Sequence, residues 1–255
     1  MINRKTDREI EFMRSAGKIA AEARKLAGSM VKVGATTSSI DKAVHKFIKS
    51  QGATPTFLGY RDYPASACVS VNEEVIHGIP SSRKLEQGDI VSIDIGVTKN
   101  GYIGDCAATF IAGSTDENSK KLIQVTRECF YEGLKYARAG NRVSDMSRAI
   151  QRHAEKNGFS LVRAYSGHGV GTKLHEAPEV PNFIEKPRRG NDPRLLPGMT
   201  LAVEPMVNVG VADIELLDDG WTVVTADGMN SAHYENTILI TEGEPEILTA
   251  CEEMP

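Results

Sequence analysis

The sequence predicts one mixed α/β domain of 255 residues, built from two similar halves at roughly 1–110 and 111–255. Three observations predict it. A helix pattern occurs twice: Ile40, Ala43, Val44, Phe47 and Ile48 after Gly34, then Met146, Ala149, Ile150, His153 and Ala154 after Gly140, an offset of 106. A strand entry also occurs twice. Leu85-Glu86-Gln87-Gly88 leads to Asp94, and Leu195-Leu196-Pro197-Gly198 leads to Glu204, with six residues from glycine to acid in both and an offset of 110. Third, Ile90–Val97 alternates strictly, with Val91, Ile93, Ile95 and Val97 on one face and Ser92, Asp94 and Gly96 on the other, the period of a half-buried strand. Repetition in the same order predicts halves related by a pseudo-two-fold axis.

The elements follow in chain order. Thr6 with Glu9 three residues on is a capping box, so a helix begins there. The i, i+3, i+4, i+7, i+8 pattern after Gly34 is one apolar helix face, and Gly52 stops it. The Ile90–Val97 strand ends at the turn signal Lys99-Asn100-Gly101. If the loop spans Thr98 to Gly101, Asp105 stands directly opposite Asp94, which would put two carboxylates on one face with Cβ atoms about 4.5–5.5 Å apart. Two solvated acids in a register one or two residues away are the competing reading. A helix over about 119–137 carries Val125, Cys129, Phe130 and Leu134 on one face, and the repeated helix ends at Gly158. Thr200–Glu204 repeats the acid-bearing strand, with Pro205 interrupting the ladder. Asp219-Gly220 and Asp227-Gly228 mark turns of a C-terminal meander, whose last strand runs through His233–Thr237 into Ile238–Ile240 and carries Glu235. An acid in so apolar a strand is seldom buried unless paired or bound to metal.

Composition narrows the function. With 34 acidic against 30 basic residues, the net charge of −4 argues against a protein that mainly holds nucleic acid. Residues 1–14 carry charges throughout and no apolar core of a secretory signal. The longest apolar runs fall short of a membrane span. Cys68, Cys106, Cys129 and Cys251 form no C-x-x-C pair, which predicts a reduced, cytoplasmic protein without a structural zinc site.

Several motifs are excluded. In Gly167-His168-Gly169-Val170-Gly171-Thr172, Thr172 spoils a dinucleotide fingerprint and the order of a phosphate loop is missing. His175-Glu176-Ala177-Pro178-Glu179 ends in Glu and holds a proline, so it is not a zincin helix. Ala164 and His168 flank Ser166 where a nucleophile elbow needs glycines. His45 and His153 lie on helix patterns and read as surface or satisfied residues. His77 stands in the loop-like run Asn72–Pro80. Taken together, the acids and His168 form an oxygen-rich donor set suited to two hard or borderline divalent ions, the arrangement that aminopeptidases use to activate water and a carbonyl.

At these residues the sequence resembles the type I methionine aminopeptidases, short form, of the M24 "pita-bread" metallopeptidases. The matching pieces are Ser70-Val71-Asn72-Glu73 through His77-Gly78-Ile79-Pro80, Asp94 with Asp105, Gly167–Gly171 with His175–Pro178, Glu204-Pro205-Met206 and Glu235-Asn236-Thr237. They cover essentially the whole chain. The resemblance implies a curved, mainly antiparallel sheet backed by helices, and hydrolytic removal of the N-terminal methionine of nascent polypeptides, preferring a small second residue. It implies that Asp94, Asp105, His168, Glu204 and Glu235 bind two divalent ions (Co²⁺, Mn²⁺, Fe²⁺ or Zn²⁺), with Asp105 and Glu235 bridging. Glu204 would be the general base, and His77 and His175 would contact the substrate. Tyr60, Tyr63, Cys68, Leu174 and Trp221 would line the methionine pocket, Leu174 standing where the family commonly has Phe and Phe57 where it commonly has Cys. A monovalent cation near Asn72, Glu74 and Ser231, a monomeric state and a transient ribosome contact are further implications. The 36 residues from His168 to Glu204 leave no room for a type II insertion. The competing functions are Xaa-Pro cleavage by a related pita-bread enzyme and a non-enzymatic binding module on the same fold.

Overall fold

The computed structural model describes residues 2–184 and 192–251. Four helices form where the sequence places them: α1 (Asp7–Ser29), α2 (Thr37–Ser50), α3 (Glu117–Leu134) and α4 (Val143–Lys156). The α1 capping box is present, with the Thr6 amide donating to Glu9 at 2.8 Å. Helix α3 begins two residues earlier than the apolar pattern alone suggests. Asp116 caps it, accepting from the amides of Asn118 and Ser119 at 2.9 and 3.0 Å.

The main sheet has nine strands. Its path runs Thr54–Pro55, Ile90–Lys99, Tyr102–Ile111, Glu235–Leu239, Thr200–Val203, Gly167–Gly169, Glu176–Val180, all neighbours antiparallel. Cys68–Val71 also pairs with Ile90–Lys99, and Glu246–Ile247 with Glu235–Leu239. Alternation splits the sheet into two faces. One of them carries all four helices: there Val91, Ile93, Ile95, Val97 and Cys106 share a core with α1 and α2, and Leu201, Val203 and Ile238 share one with α3 and α4. Helix α1 lies close on Tyr102–Ile111 because glycine meets glycine, a Cβ on Gly104 falling 2.6 Å from the Gly17 Cα.

The same bonds recur in each half. Gly34 donates to Leu85 and Leu85 to Ala35 at 2.7 and 2.8 Å; Gly140 donates to Leu195 and Leu195 to Asn141 at 2.9 and 2.7 Å. Isolated bridges join Thr36 to Lys84 and Arg142 to Arg194. These pairs stand at the offsets of 106 and 110 read from the sequence.

The C-terminal part differs from the expected single last strand. Ser231–His233 pairs with Met206–Asn208 in a three-stranded sheet, and Glu235–Leu239 belongs to the main sheet. The break at Tyr234 lies opposite Pro205, whose carbonyl accepts from the Tyr234 amide at 3.2 Å. Proline has no N–H to continue the ladder, so both strands change sheet together. Between them Ile214–Leu216 and Val223–Thr225 pair, and the latter joins Glu74–Ile76 from the first half. Among the described residues no helix is long and apolar enough to cross a membrane. His45 and His153 are satisfied away from the acids, at 2.9 Å from Ser66 and 2.8 Å from Glu128.

Candidate metal centre

The hairpin that carries Asp94 and Asp105 has a register two residues from the expected one. Asn100 and Gly101 have φ of 53° and 80°, and Lys99 pairs with Tyr102. This two-residue turn suits the right-handed twist of the strands and requires left-handed residues, which Asn-Gly supplies. Asp94 therefore stands opposite Ala107, and Asp105 opposite Gly96. A slip of one residue would send the acids to opposite faces; a slip of two keeps them together.

That face, the one away from the helices, gathers the donors. Glu235 pairs with Ala107, so it joins Asp105 there. His168 pairs with Ala202, which itself pairs with Thr237 on the same face, and Glu204 follows two residues on. Asp105, His168 and Glu235 each offer a ligand atom, all within 4.8 Å of one another. His168 Nε2 lies 3.4 Å from Glu204 Oε1 and 3.9 Å from Asp105 Oδ2. Gly167 and Gly169 make this possible, because a Cβ on either would collide with a carbonyl, of Ala202 or of Ala177.

Carboxylates buried this closely need protons or a cation between them. Asp105, Glu204 and Glu235 are 4, 9 and 2 % exposed. Burial and then the neighbouring carboxylates hold all three well above the ordinary carboxylate range, and burial raises Asp94 to about 7. Burial lowers His168 to about 4, so it is neutral. Its Nδ1 is 2.9 Å from the Gly169 carbonyl, which can only accept; Nε2 therefore presents a lone pair to two carboxylates. Asp94 Oδ1, Asp105 Oδ1 and Glu235 Oε1 are buried without a hydrogen-bond partner. Lone pairs converging from four carboxylates and one imidazole fit hard or borderline divalent ions.

The expected substrate residues gather beside the acids. Tyr60, Tyr63, Cys68, Leu174 and Trp221 share one apolar cluster with Phe57 and Val170, and Cys68 stands directly opposite Asp94. Tyr63 meets Trp221 edge-on at 5.0 Å. His175 lies 4.3 Å, centroid to centroid, from His168, and its Nδ1 is 2.8 Å from the Tyr60 hydroxyl. His77, held at a φ of 61°, meets Tyr165 and Trp221 edge-on at 5.7 and 6.1 Å. Burial, then His175, lowers its pKa to about 4. Asn72 and Ser231 are adjacent as well, the Ser231 amide donating to the Asn72 carbonyl at 2.9 Å. A groove of about 660 Å³ between α1 and α3 contains none of the five donors.

Sequence reasoning missed three side chains here. Tyr165 precedes the glycine run, but no spacing marks it. His233 is 2 % exposed with Nε2 unpartnered, and burial lowers its pKa to about 3. Thr237 accepts from the Asp105 amide at 3.0 Å and donates to the Asp105 carbonyl at 2.9 Å. The odd-numbered alternation of His233, Glu235 and Thr237 was the available signal.

Residues 11–242 match the description Metallopeptidase family M24. The chain belongs to that family. A methionine aminopeptidase of Clostridium perfringens is 52% identical over 249 residues, 98% of this chain and 99% of the relative. The crystal structure of methionine aminopeptidase from Thermotoga maritima superposes with a TM-score of 0.95 at 45% identity, covering 98% of this chain and 100% of that one. The M24 fold extends to a prolidase from Pyrococcus furiosus, with a TM-score of 0.80 at 24% identity, covering 98% of this chain and 66% of that one; that likeness concerns the fold alone. The pita-bread architecture expected from the sequence is therefore the one observed, and the chain is a metallopeptidase of the M24 family.

Proposed function

We propose that this metallopeptidase removes the N-terminal methionine from polypeptides and peptides, with preference for a small second residue. One observation carries the reading: the five donors share a sheet face with an aromatic, apolar cluster, joined where Cys68 stands opposite Asp94. Divalent ions held by Asp94, Asp105, His168, Glu204 and Glu235 would supply Lewis acidity to the scissile carbonyl and lower the pKa of the attacking water.

The chain's own groups do the rest. Glu204 lies in an environment that favours its protonated form, which suits it to accept a proton from water and pass it to the leaving amine. The Tyr60 hydroxyl lies 2.8 Å from His175 Nδ1, and burial, then Arg61, lowers the His175 pKa; in the tautomer that accepts from Tyr60 at Nδ1, Nε2 of His175 is a donor. His77, also neutral, offers a second N–H. Two such donors stabilise charge developing on the scissile amide. Tyr60, Tyr63, Cys68, Leu174 and Trp221 enclose a thioether side chain, which gains from contacts with aromatic edges. The single domain of two similar halves belongs to this proposal too, supported by the repeated Gly34–Leu85 and Gly140–Leu195 bonds.

The test is hydrolysis of Met-Ala-Ser against Leu-Pro and other Xaa-Pro peptides after chelation and reloading with Co²⁺, Mn²⁺, Fe²⁺ or Zn²⁺. Preference for the proline substrates overturns the proposal, and no turnover with any ion favours a binding module. His175→Ala should lower kcat about 10²–10³-fold with metal content unchanged by elemental analysis. Loss of metal from that variant would contradict the role given to His175.

A further inference from the structure

The seam between Tyr102–Ile111 and Glu235–Leu239 carries Asp105 and Glu235, yet its register contains only two pairs, Glu235 with Ala107 and Asn236 with Cys106. Side chains complete it. On the site face, the Thr237 hydroxyl takes both main-chain groups of Asp105. On the helix face the work falls to Arg24 of α1, 7 % exposed. Its Nη1 donates to the Glu235 carbonyl at 2.9 Å, to Asn236 Oδ1 at 3.1 Å and to the Ala107 carbonyl at 3.3 Å. Its Nη2 donates to the Thr249 carbonyl at 3.3 Å. Thr249 closes the frame, its hydroxyl donating to Asn236 Oδ1 at 2.9 Å and accepting from the Thr237 amide at 3.1 Å.

All these acceptors of Arg24 are neutral. Taking a guanidinium out of water costs several kcal/mol; among the described residues no carboxylate pairs with it, and the Tyr234 ring lies 5.8 Å from its central carbon. What the planar fork provides is reach. It holds the carbonyls of Glu235 and Ala107, which oppose each other across the seam, together with Thr249 beyond them; a single ammonium could not span that set. The carboxylates of Asp105 and Glu235 project from this same pair of strands on the other face.

We propose that Arg24 is a positioning residue of the metal centre: by fixing the main chain at Glu235 and Ala107, it sets the separation of the Glu235 and Asp105 carboxylates and thereby the affinity for the ions they share. This rests on the assignment of Asp105 and Glu235 as ligands. Residues that orient ligands in this way typically change metal affinity or activity 10–100-fold when replaced.

The test compares Arg24→Met and Arg24→Lys with Arg14→Met, which loses a peripheral ion pair to Glu246 at 2.7 Å. Mn²⁺ is titrated calorimetrically into the chelated full chain, and kcat and KM on Met-Ala-Ser and the unfolding midpoint are measured for each. Arg24→Met should bind Mn²⁺ about 10–100-fold more weakly, with kcat reduced and KM within about twofold of the parent, because the methionine pocket is built from other elements. Arg24→Lys should fall between. Arg14→Met should lower the midpoint with Mn²⁺ affinity and kcat unchanged. Parental affinity and kcat in Arg24→Met overturn the proposal, as does an equal loss of affinity in Arg14→Met. If Arg24→Met does not fold, parental Mn²⁺ affinity in Arg24→Lys overturns it. An inactive parent would refute the peptidase reading and leave the Mn²⁺ comparison to decide this one.

Discussion

Asp105→Ala should lower kcat/KM on Met-Ala-Ser by at least about 10³-fold at saturating Mn²⁺, about 4 kcal/mol in the barrier. Asp105 stands opposite Gly96, within 3.9 Å of His168 and in ligand reach of Glu235. The residue opposite it is a glycine, and of its strand neighbours Gly104 carries no side chain and Cys106 points to the helix face, so none of these three replaces it. The loss should come with little damage to the fold. An alanine leaves the strand's ladder intact and removes one of four mutually repelling acids. Peptide hydrolysis followed by chromatography, together with thermal unfolding of the chelated variant, checks both parts. Retention of a tenth of the parental activity would remove Asp105 from the centre.

Stripped of metal, the protein should become less stable as pH rises from 6.5 to 8.5. Over that window unfolded carboxylates are fully ionised, whereas Asp94, with a folded pKa of about 7, and Asp105, Glu204 and Glu235, held well above their ordinary values, retain protons. The folded state then binds more protons than the unfolded one, and stability falls with pH. Burial depresses His77, His168 and His233 to about 4, 4 and 3, so they are neutral in the folded state, whereas an unfolded histidine, with its ordinary value of 6.5, is half protonated at the start of this window. Their opposite contribution, a gain of stability with rising pH, is therefore mostly complete by about pH 7.5 and amounts to about 1 kcal/mol for the three together, which offsets part of the loss in the lower half of the window. One retained proton gives about 1.4 kcal/mol per pH unit, so the loss is about 3 kcal/mol or roughly 6–12 °C. Divalent ions replace those protons, and the loaded protein should show a much flatter profile. Thermal unfolding with and without a chelator measures the difference. A midpoint of the stripped protein that is flat or rises with pH would contradict the clustering of these four acids.

Much of this site could be read locally. The Thr6–Glu9 capping box and the repeated helix faces located three of the four helices. Alternation in Ile90–Val97 and in Thr200–Glu204 put Asp94 and Glu204 on the polar faces of their strands, because side-chain direction in a strand depends only on parity. The Asn100-Gly101 turn was visible as well, but its loop length was not. Four loop residues and two give registers that differ by two, and only the left-handed pair observed at Asn100 and Gly101 selects between them.

The chemistry available to this protein is written in its residues: which acids and histidines it has, the face each strand acid takes, and motifs that resemble those of the methionine aminopeptidases. Which of them meet depends on contacts between elements distant in the chain. Asp105, His168 and Glu235 come from strands far apart in the chain, and Arg24 reaches Glu235 across 211 positions. Tyr165 and Arg24 carry no local signal for the same reason, and the alternation of His233 and Thr237 with Glu235 says nothing of the partners they meet. Helix and strand periods record which face of an element is buried, but not which other element buries it. That choice belongs to strand order and to the close packing of α1 on the seam, where Gly17 meets Gly104 and sets the approach of the helix that carries Arg24.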